Sequence, residues 1–563
     1  MAKKKDEEKK SLSRREFLKD TGMVVGGAAL TMGALSLAGC ASPEAETTTV
    51  TGPGTTVTTT KTETATPWLP SKWDYEADVV VVGYGGAGAA TAITAHDAGV
   101  KVLMLEKAPE QFKGGNTKVS GNAVFCPNDI EKAIIYFKAM CGYYTDNLSE
   151  EMIHVWAEEM YNTKTWMESL GADLFDMKMV EFPELPGSEC ASVFLQRSGP
   201  IGQARLWNEV IEPAVAARNI QILYETPAIQ LISNCESEIV GVVAEENGRE
   251  INIRAKRATV LTCGGFENDP TLVRTYLSDL PYCYPMGTPY NTGDGVRMAQ
   301  KVGADLWHMN NIAGPYFYFK VPDYAVSSRV LMPGNNYIYV AKDGTRFTRE
   351  GPTIIINPDG TQTYVEKHGK IYSKGRWLQN PAPVPIYVVF DETTRKAGGI
   401  CGAAAGYTWS WDVIYDTYKW SNDNIAEINK GWIKRGDTIG SLASQVGLSQ
   451  NVLEATVQRY NGFCSAGEDL DFNRSPASLK PIETPPFYIM ELTPTFINTQ
   501  GGPRRNQNAQ IVDPSGKPIP RLYSAGELGS IYSFQYQGGG NVAECFAFGR
   551  IAGRNAAAET PWG

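Results

Sequence analysis

The stretch DVVVVGYGGAGAA, Asp78 to Ala90, decides the fold. Four consecutive valines show no alternation of polar and apolar positions, so the strand they form is buried on both faces. It runs straight into Gly83, Gly85, Gly86, Ala87 and Gly88, and a helical pattern continues to Ala98. A second apolar strand, Lys101 to Leu105, ends in Glu106, 23 residues after Gly83. Strand, glycine turn, helix, strand and acid in this order form a βαβ unit that cradles a dinucleotide. The glycines allow a tight turn and close approach to a pyrophosphate at the helix N-terminus, and the acid accepts ribose hydroxyls.

Around that unit the chain has 563 residues, enough for two to four domains. Its 42% hydrophobic and 20% charged content is that of an ordinary soluble globular protein. A net charge of -10 argues against nucleic acid as a partner, which needs a basic face. The first 40 residues read as targeting rather than fold. Ser13-Arg14-Arg15-Glu16-Phe17-Leu18-Lys19 matches a twin-arginine export pattern, and an apolar run covers Met23 to Ala38. Leu37-Ala38-Gly39-Cys40 reads as a lipobox, which predicts a lipid anchor on Cys40 and a place in the cell envelope, outside the cytoplasmic membrane. Residues 41–72 are threonine-rich and lack apolar periodicity, so they are expected to be a tether. The nine cysteines after Cys40 contain no CxxC pair, CxxCH motif or metal-ligand spacing, and no two of the four histidines are so spaced. No metal site is expected.

Downstream, Gly114-Gly115-Asn116-Thr117-Lys118-Val119-Ser120-Gly121 follows the βαβ unit. Further on stand Leu261-Thr262-Cys263-Gly264-Gly265-Phe266, Thr292-Gly293-Asp294-Gly295 and Leu522-Tyr523-Ser524-Ala525-Gly526-Glu527. Together these segments resemble the flavin domain of the fumarate reductase and 3-ketosteroid dehydrogenase superfamily, over most of residues 75–557. The resemblance implies FAD as the cofactor, held around Glu106, Thr117, Ser120, Gly121, Asp294 and Glu527, with Lys107, Asn116, Asn541 and Val542 as further contacts. It implies an α/β fold whose Rossmann-like FAD-binding domain is split in sequence, residues 73–300 and 476–563. An α+β capping domain, residues 301–475, is inserted between the parts.

Near the end stands SFQYQGGGN, residues 533–541. Gly538-Gly539-Gly540 precede a helical pattern from Val542 to Ala557, so backbone N–H groups are presented at a helix start, where anions are favoured. Fumarate reductases carry an arginine just ahead of this motif, and histidines elsewhere, to clamp a dicarboxylate. This chain has Phe534-Gln535-Tyr536-Gln537 instead, and Leu492 to Thr499 holds no histidine. A doubly charged substrate without a fixed cation is poorly held. The Tyr-X-Gly-Gly-Gly order resembles the ketosteroid dehydrogenases, where it implies that Tyr536 and the Gly540 N–H polarise a substrate ketone.

For the proton donor, Phe390-Asp391-Glu392-Thr393-Thr394-Arg395 resembles the segment carrying the catalytic arginine of fumarate reductases, which implies Arg395. Gly344 to Glu350 resembles the segment with the relay glutamate, which implies Glu350; the relay's second arginine is Thr353 here. Alternatively Arg395 pairs with Asp391 on its helix, and a cap tyrosine, Tyr316, Tyr318 or Tyr337, serves as the acid. The aromatic runs Tyr316 to Phe319 and Trp409-Ser410-Trp411 line a pocket or fill a core strand. The expectation is an FAD-dependent envelope reductase of a C=C bond conjugated to a carbonyl in an enone, unsaturated lactone or acid other than fumarate. Its electrons would come from a separate cytochrome or quinol-linked carrier. The alternative is a 3-ketosteroid dehydrogenase-type desaturase working oxidatively; a non-catalytic, flavin-holding binding protein is the reading from a different class.

Overall fold

The computed structural model describes residues 46–52, 55–61, 69–142, 148–199, 201–280, 282–350, 354–356, 362–364, 366–373, 376–415 and 417–563. The export pattern, the apolar run and Cys40 lie outside them. The chain divides into two units, residues 1–66 and 67–563. In the first, Glu46–Gly52 and Thr55–Lys61 pair antiparallel, Val50 opposite Val57. The sequence reading has only a tether there; the β-branched threonines favour extended backbone, which such pairing uses.

In the second unit, β1 (Tyr75–Val82) contains the valine run, with Val79, Val80 and Val81 fully buried. Helix α1 (Gly86–Asp97) follows, and β2 (Val102–Leu105) returns parallel to β1, Val79 opposite Val102 and Val82 opposite Leu105. On the other side of β1 lies β3 (Arg249–Leu261), also parallel, and beyond it the late strand Pro518–Ser524. These strands form the heart of an eight-stranded sheet. Successive residues of β1 point to opposite faces. Val79 and Val81 meet α1 and the C-terminal helix α2 (Gly540–Ala558), through Ala90 and Phe546. Val80 and Val82 enter a second cluster with Leu103, Leu105 and Ile253. A strand covered on both faces needs such an unbroken apolar run, which is why the valine stretch is legible.

A seven-stranded sheet forms the other lobe. Its centre is β4 (Ile386–Asp391) paired antiparallel with β5 (Phe487–Phe496), which also pairs with Tyr316–Lys320 and Ile433–Gly436. The short strand Tyr284–Pro285 joins β5 as well. Strands of this sheet thus fall on both sides of the 301–475 span expected for the cap, because β5, at 487–496, supplies the partner that β4 needs. Phe317, Tyr318 and Phe319 are buried in this lobe's core with Val388 and Met490. Tyr337 is in the same core. Of the two roles weighed for this aromatic run, the structure gives it the core strand.

Candidate active site

The glycine turn after β1 is the floor of a groove. A Cβ on Gly88 would sit 2.0 Å from the Gly83 carbonyl oxygen, so only glycine lets α1 begin this close to the turn. The N–H of Ala87, at the start of α1, has no partner among the described residues, and Ala87 lines the groove. Glu106, at the end of β2, is buried, and its carboxylate accepts from the Tyr84 N–H at 2.9 Å and the Ala108 N–H at 2.7 Å. Burial pushes its pKa up, and those two N–H groups oppose the shift. Lys107 Nζ bonds Asp294 Oδ2 at 2.6 Å, closing the groove from the far wall. Thr117 Oγ1 accepts from the Gly86 N–H at 3.1 Å, which ties Gly115–Val119 to the glycine turn. Ser120 Oγ donates to the Thr117 carbonyl at 2.8 Å, and Gly121 lies beside it in the next cleft. An acid for ribose, a free amide for a pyrophosphate and close-packed glycines in one groove fit the dinucleotide half of FAD.

The groove continues past Asn116 into a second cleft between the lobes. Asn116 Nδ2 donates to Glu267 Oε1 and to Glu527 Oε2, both at 3.0 Å. Asn116 thus joins the two carboxylates, Glu267 buried and Glu527 half-buried where it lines both the groove and the cleft. Desolvation pushes Glu267 up to about 7, and desolvation together with the charge of Glu267 raises Glu527 well above the usual carboxylate range. Trp409, Met286 and Ile497 give this cleft apolar walls, and Asn498, Asn541, His368 and Tyr536 supply polar groups; among the described residues no lysine or arginine lines it.

Tyr536 is 4% exposed, and its hydroxyl has no hydrogen-bond partner among the described residues. Burial first, then Glu181 and Glu527, raise its pKa, so the hydroxyl stays protonated and is a donor. The glycine triplet behaves differently from expectation at one atom. The Gly540 N–H donates to the Gln537 carbonyl at 2.8 Å, closing the turn that Gly539 (φ 85°) permits. That amide is therefore engaged. The N–H groups of Asn541 and Val542, in the first turn of α2, have no partner among the described residues and are the free donors at this helix start.

The expected proton relay is not assembled. Arg395 is held bidentately by Glu392, at 2.6 and 2.7 Å, and bonds the Asp423 carbonyl at 3.1 Å; it is not among the cleft residues. Its partner is Glu392 rather than Asp391 because Asp391 is spent as the helix N-cap, accepting from the Thr393 N–H and the Thr394 N–H. Glu350 is buried with Arg346, whose Nε lies 2.9 Å from Oε1, and Arg346 in turn bonds Asp469. The Tyr339 N–H completes that network, at 3.0 Å from Glu350, away from the cleft. Tyr316, Tyr318 and Tyr337 do not line the cleft either.

One residue that sequence reasoning passed over, His368, does reach it, and Glu181 stands behind it. His368 stacks on the Tyr536 ring, 4.0 Å between centroids at 20°, and its Nε2 is 2.9 Å from Glu181 Oε2. The same carboxylate oxygen accepts from the Gly538 N–H at 2.6 Å. No sequence signal marks them, since 187 residues separate His368 from Glu181.

Dinucleotide groove, capped cleft and buried tyrosine together define a flavin-dependent oxidoreductase. The FAD binding domain family model matches residues 78–542, and the chain belongs to that family. FAD is its cofactor. Urocanate reductase of Eggerthella lenta is 28% identical, over 87% of this chain and 76% of that one. Digoxin reductase of the same organism is 26% identical over 98% of each chain. Among solved structures, 3-ketosteroid Δ1-dehydrogenase of Sterolibacterium denitrificans shares the fold, with a TM-score of 0.67 at 22% identity, covering 86% of this chain and 99% of that one. The superfamily resemblance read from the glycine motifs is thereby confirmed.

Proposed function

We propose that this flavoenzyme reduces a C=C bond conjugated to a carbonyl, in a substrate that is not a dicarboxylate. The observation that carries the reading is the Tyr536 hydroxyl, an unpartnered donor buried in the cleft. FAD, once reduced, supplies a hydride. As a hydride reaches the carbon β to a carbonyl, negative charge grows on the carbonyl oxygen. A neutral donor fixed beside that oxygen in a cleft shielded from water stabilises the charge, by about 3–4 kcal/mol for one well-placed group. Since the Gly540 N–H is engaged, the hydroxyl is the principal donor, with the Asn541 and Val542 amides free to face the cofactor. With no lysine or arginine among the described residues of the cleft wall, the site suits an enone, lactone or monoacid better than fumarate.

Both named relatives are reductases, which favours reduction over desaturation. The twin-arginine pattern and the lipobox at Cys40 support an envelope-anchored enzyme supplied by a separate cytochrome or quinol-linked carrier. The test is anaerobic oxidation of reduced methyl viologen by the FAD-loaded protein, offered fumarate, cinnamate-type acids, unsaturated lactones and enone steroids. Turnover with an enone, lactone or monoacid and not with fumarate is expected. Turnover with fumarate alone would overturn the reading.

A further inference from the structure

Reduction across the double bond also needs a proton at the carbon α to the carbonyl, and Arg395 is not placed to give it. We infer that His368 is the catalytic acid that protonates the α-carbon, with Glu181 as the positioning residue that holds its ring. This rests on the carbonyl reading of Tyr536 given above.

His368 lies at the tip of a small hairpin, between the paired strands Glu366–Lys367 and Lys370–Ser373. The tip is fixed by backbone contacts. The Gly314 N–H donates to the His368 carbonyl at 2.8 Å, and the Asn380 N–H to the Gly369 carbonyl at 2.9 Å. A Cβ on Gly369 would come within 1.9 Å of the Gly314 carbonyl carbon, so the two backbones are in direct contact there. Lys367, buried at the base of the turn, bonds Glu184 Oε1 at 2.8 Å and sits over the Phe182 ring. A histidine on such a tip has a defined position.

The ring's surroundings define a direction too. Glu181 is held by the Gly538 N–H, and its own N–H donates to Gln537 Oε1 at 3.1 Å, so the carboxylate is locked to the glycine motif. With Nε2 on Glu181, Nδ1 is the nitrogen left for substrate; it has no partner among the described residues. Stacking puts the imidazole beside Tyr536, and the α-carbon is one bond away from the carbonyl that Tyr536 would hold. The other titratable groups of the cleft are spoken for or unsuited. Glu527 is bonded to Asn116 on the cofactor side, and the Cys545 thiol is raised by burial.

The step balances as follows. The β-carbon takes the hydride and the π pair moves onto the carbonyl oxygen as an enolate, which gives the hydride back unless it is protonated, so loss of the acid slows net flavin reoxidation. Collapse of the enolate takes the proton from His368 Nδ1, which leaves neutral imidazole next to the Glu181 carboxylate. Solvent then restores that proton. A well-placed general acid contributes roughly 10²–10⁴-fold.

The experiment compares wild type, His368→Gln and Glu181→Gln by anaerobic stopped-flow reoxidation of the reduced flavin. Two acceptors are used: the best carbonyl substrate of the panel, and 1-nitrocyclohexene, whose hydride adduct is a stable nitronate needing no acid. In His368→Gln we expect carbonyl reduction to fall at least about 100-fold while hydride transfer to the nitroalkene stays within about fivefold. Glu181→Gln, with FAD absorbance as the folding check, should show the same split more weakly. Carbonyl reduction within fivefold of wild type in His368→Gln would overturn the assignment, as would an equal loss with both acceptors. A wild type active on no carbonyl acceptor would instead remove the reading of Tyr536, and this role with it.

Discussion

Removing one oxygen atom, by Tyr536→Phe, separates the catalytic reading of this tyrosine from a packing one. The ring is fixed by His368 at 4.0 Å and by Tyr532 at 5.6 Å, and phenylalanine keeps both contacts. The hydroxyl has no hydrogen-bond partner among the described residues, so its loss strands no buried donor or acceptor. The expected change in folding stability is therefore within about 0.5 kcal/mol, and FAD content should be unchanged. Turnover is another matter. One donor aimed at developing oxyanion charge is worth roughly 10²–10³ in kcat, and the Gly540 N–H, the amide the glycine motif would pair with it, is already bonded to Gln537. The assay is viologen-linked turnover with the best carbonyl acceptor, alongside thermal unfolding and flavin absorbance. A fall in kcat smaller than about fivefold, with stability intact, would refute the argument and return Tyr536 to packing.

Four further outcomes follow from the same geometry. Dimethyl fumarate and fumarate share one double bond and differ in charge; because no lysine or arginine among the described residues lines the cleft, the diester's kcat/KM should exceed the diacid's by at least about 100-fold, and the reverse order would expose an unseen clamp. Arg395→Ala should leave turnover within about threefold of wild type, since the guanidinium is committed to Glu392 and the Asp423 carbonyl; a loss near 10²-fold would show that the arginine swings into the cleft during catalysis. Glu350→Ala leaves Arg346 partly uncompensated in the core and should cost roughly 3–5 kcal/mol of stability, read by chemical unfolding, with the folded fraction still able to turn over. Glu267 is pushed up to about 7 by burial, so its carboxyl favours the folded state when protonated; that stability is present below the unfolded value of 4.5 and is lost as pH rises through about 7. Glu267→Gln keeps an acceptor for Asn116 and Asn291 and should flatten the fall in melting temperature between pH 5 and 8; an unchanged slope would place the titration elsewhere.

What the sequence discloses here is whatever depends on neighbours in the chain. The valine run, the glycine turn and Glu106 are separated by fewer than 30 residues, and their pattern reports burial and backbone approach directly. The Gly-Gly-Gly turn is legible for the same reason, though not the fate of each amide: which N–H closes the turn onto Gln537 depends on the backbone angles around it. Arg395 shows where local reading stops. A helix offers it Asp391 at one spacing and Glu392 at another, and the choice falls to Glu392 once Asp391 is taken by the helix N-cap and by the Glu483 and Thr484 N–H groups from a distant loop. His368 was beyond reach altogether. A lone histidine in a polar stretch has no periodic signature, and its meaning comes from Glu181, Gly314 and Tyr536, which three separate segments bring to it.

That division has a chemical consequence for how the family's cleft is reused. The cofactor half is built from short-range patterns, in which a changed glycine or acid disrupts the groove itself. The groups proposed to face the substrate come instead from separate segments, Tyr536 from the stretch before α2 and His368 from a hairpin about 170 residues earlier in the chain. A residue on such a hairpin can change without disturbing the flavin groove, and so can the charge it presents. An arginine-lined clamp and the tyrosine–histidine pair proposed here would be alternatives on one scaffold, and a cleft with no lysine or arginine among the described residues lining it favours the second.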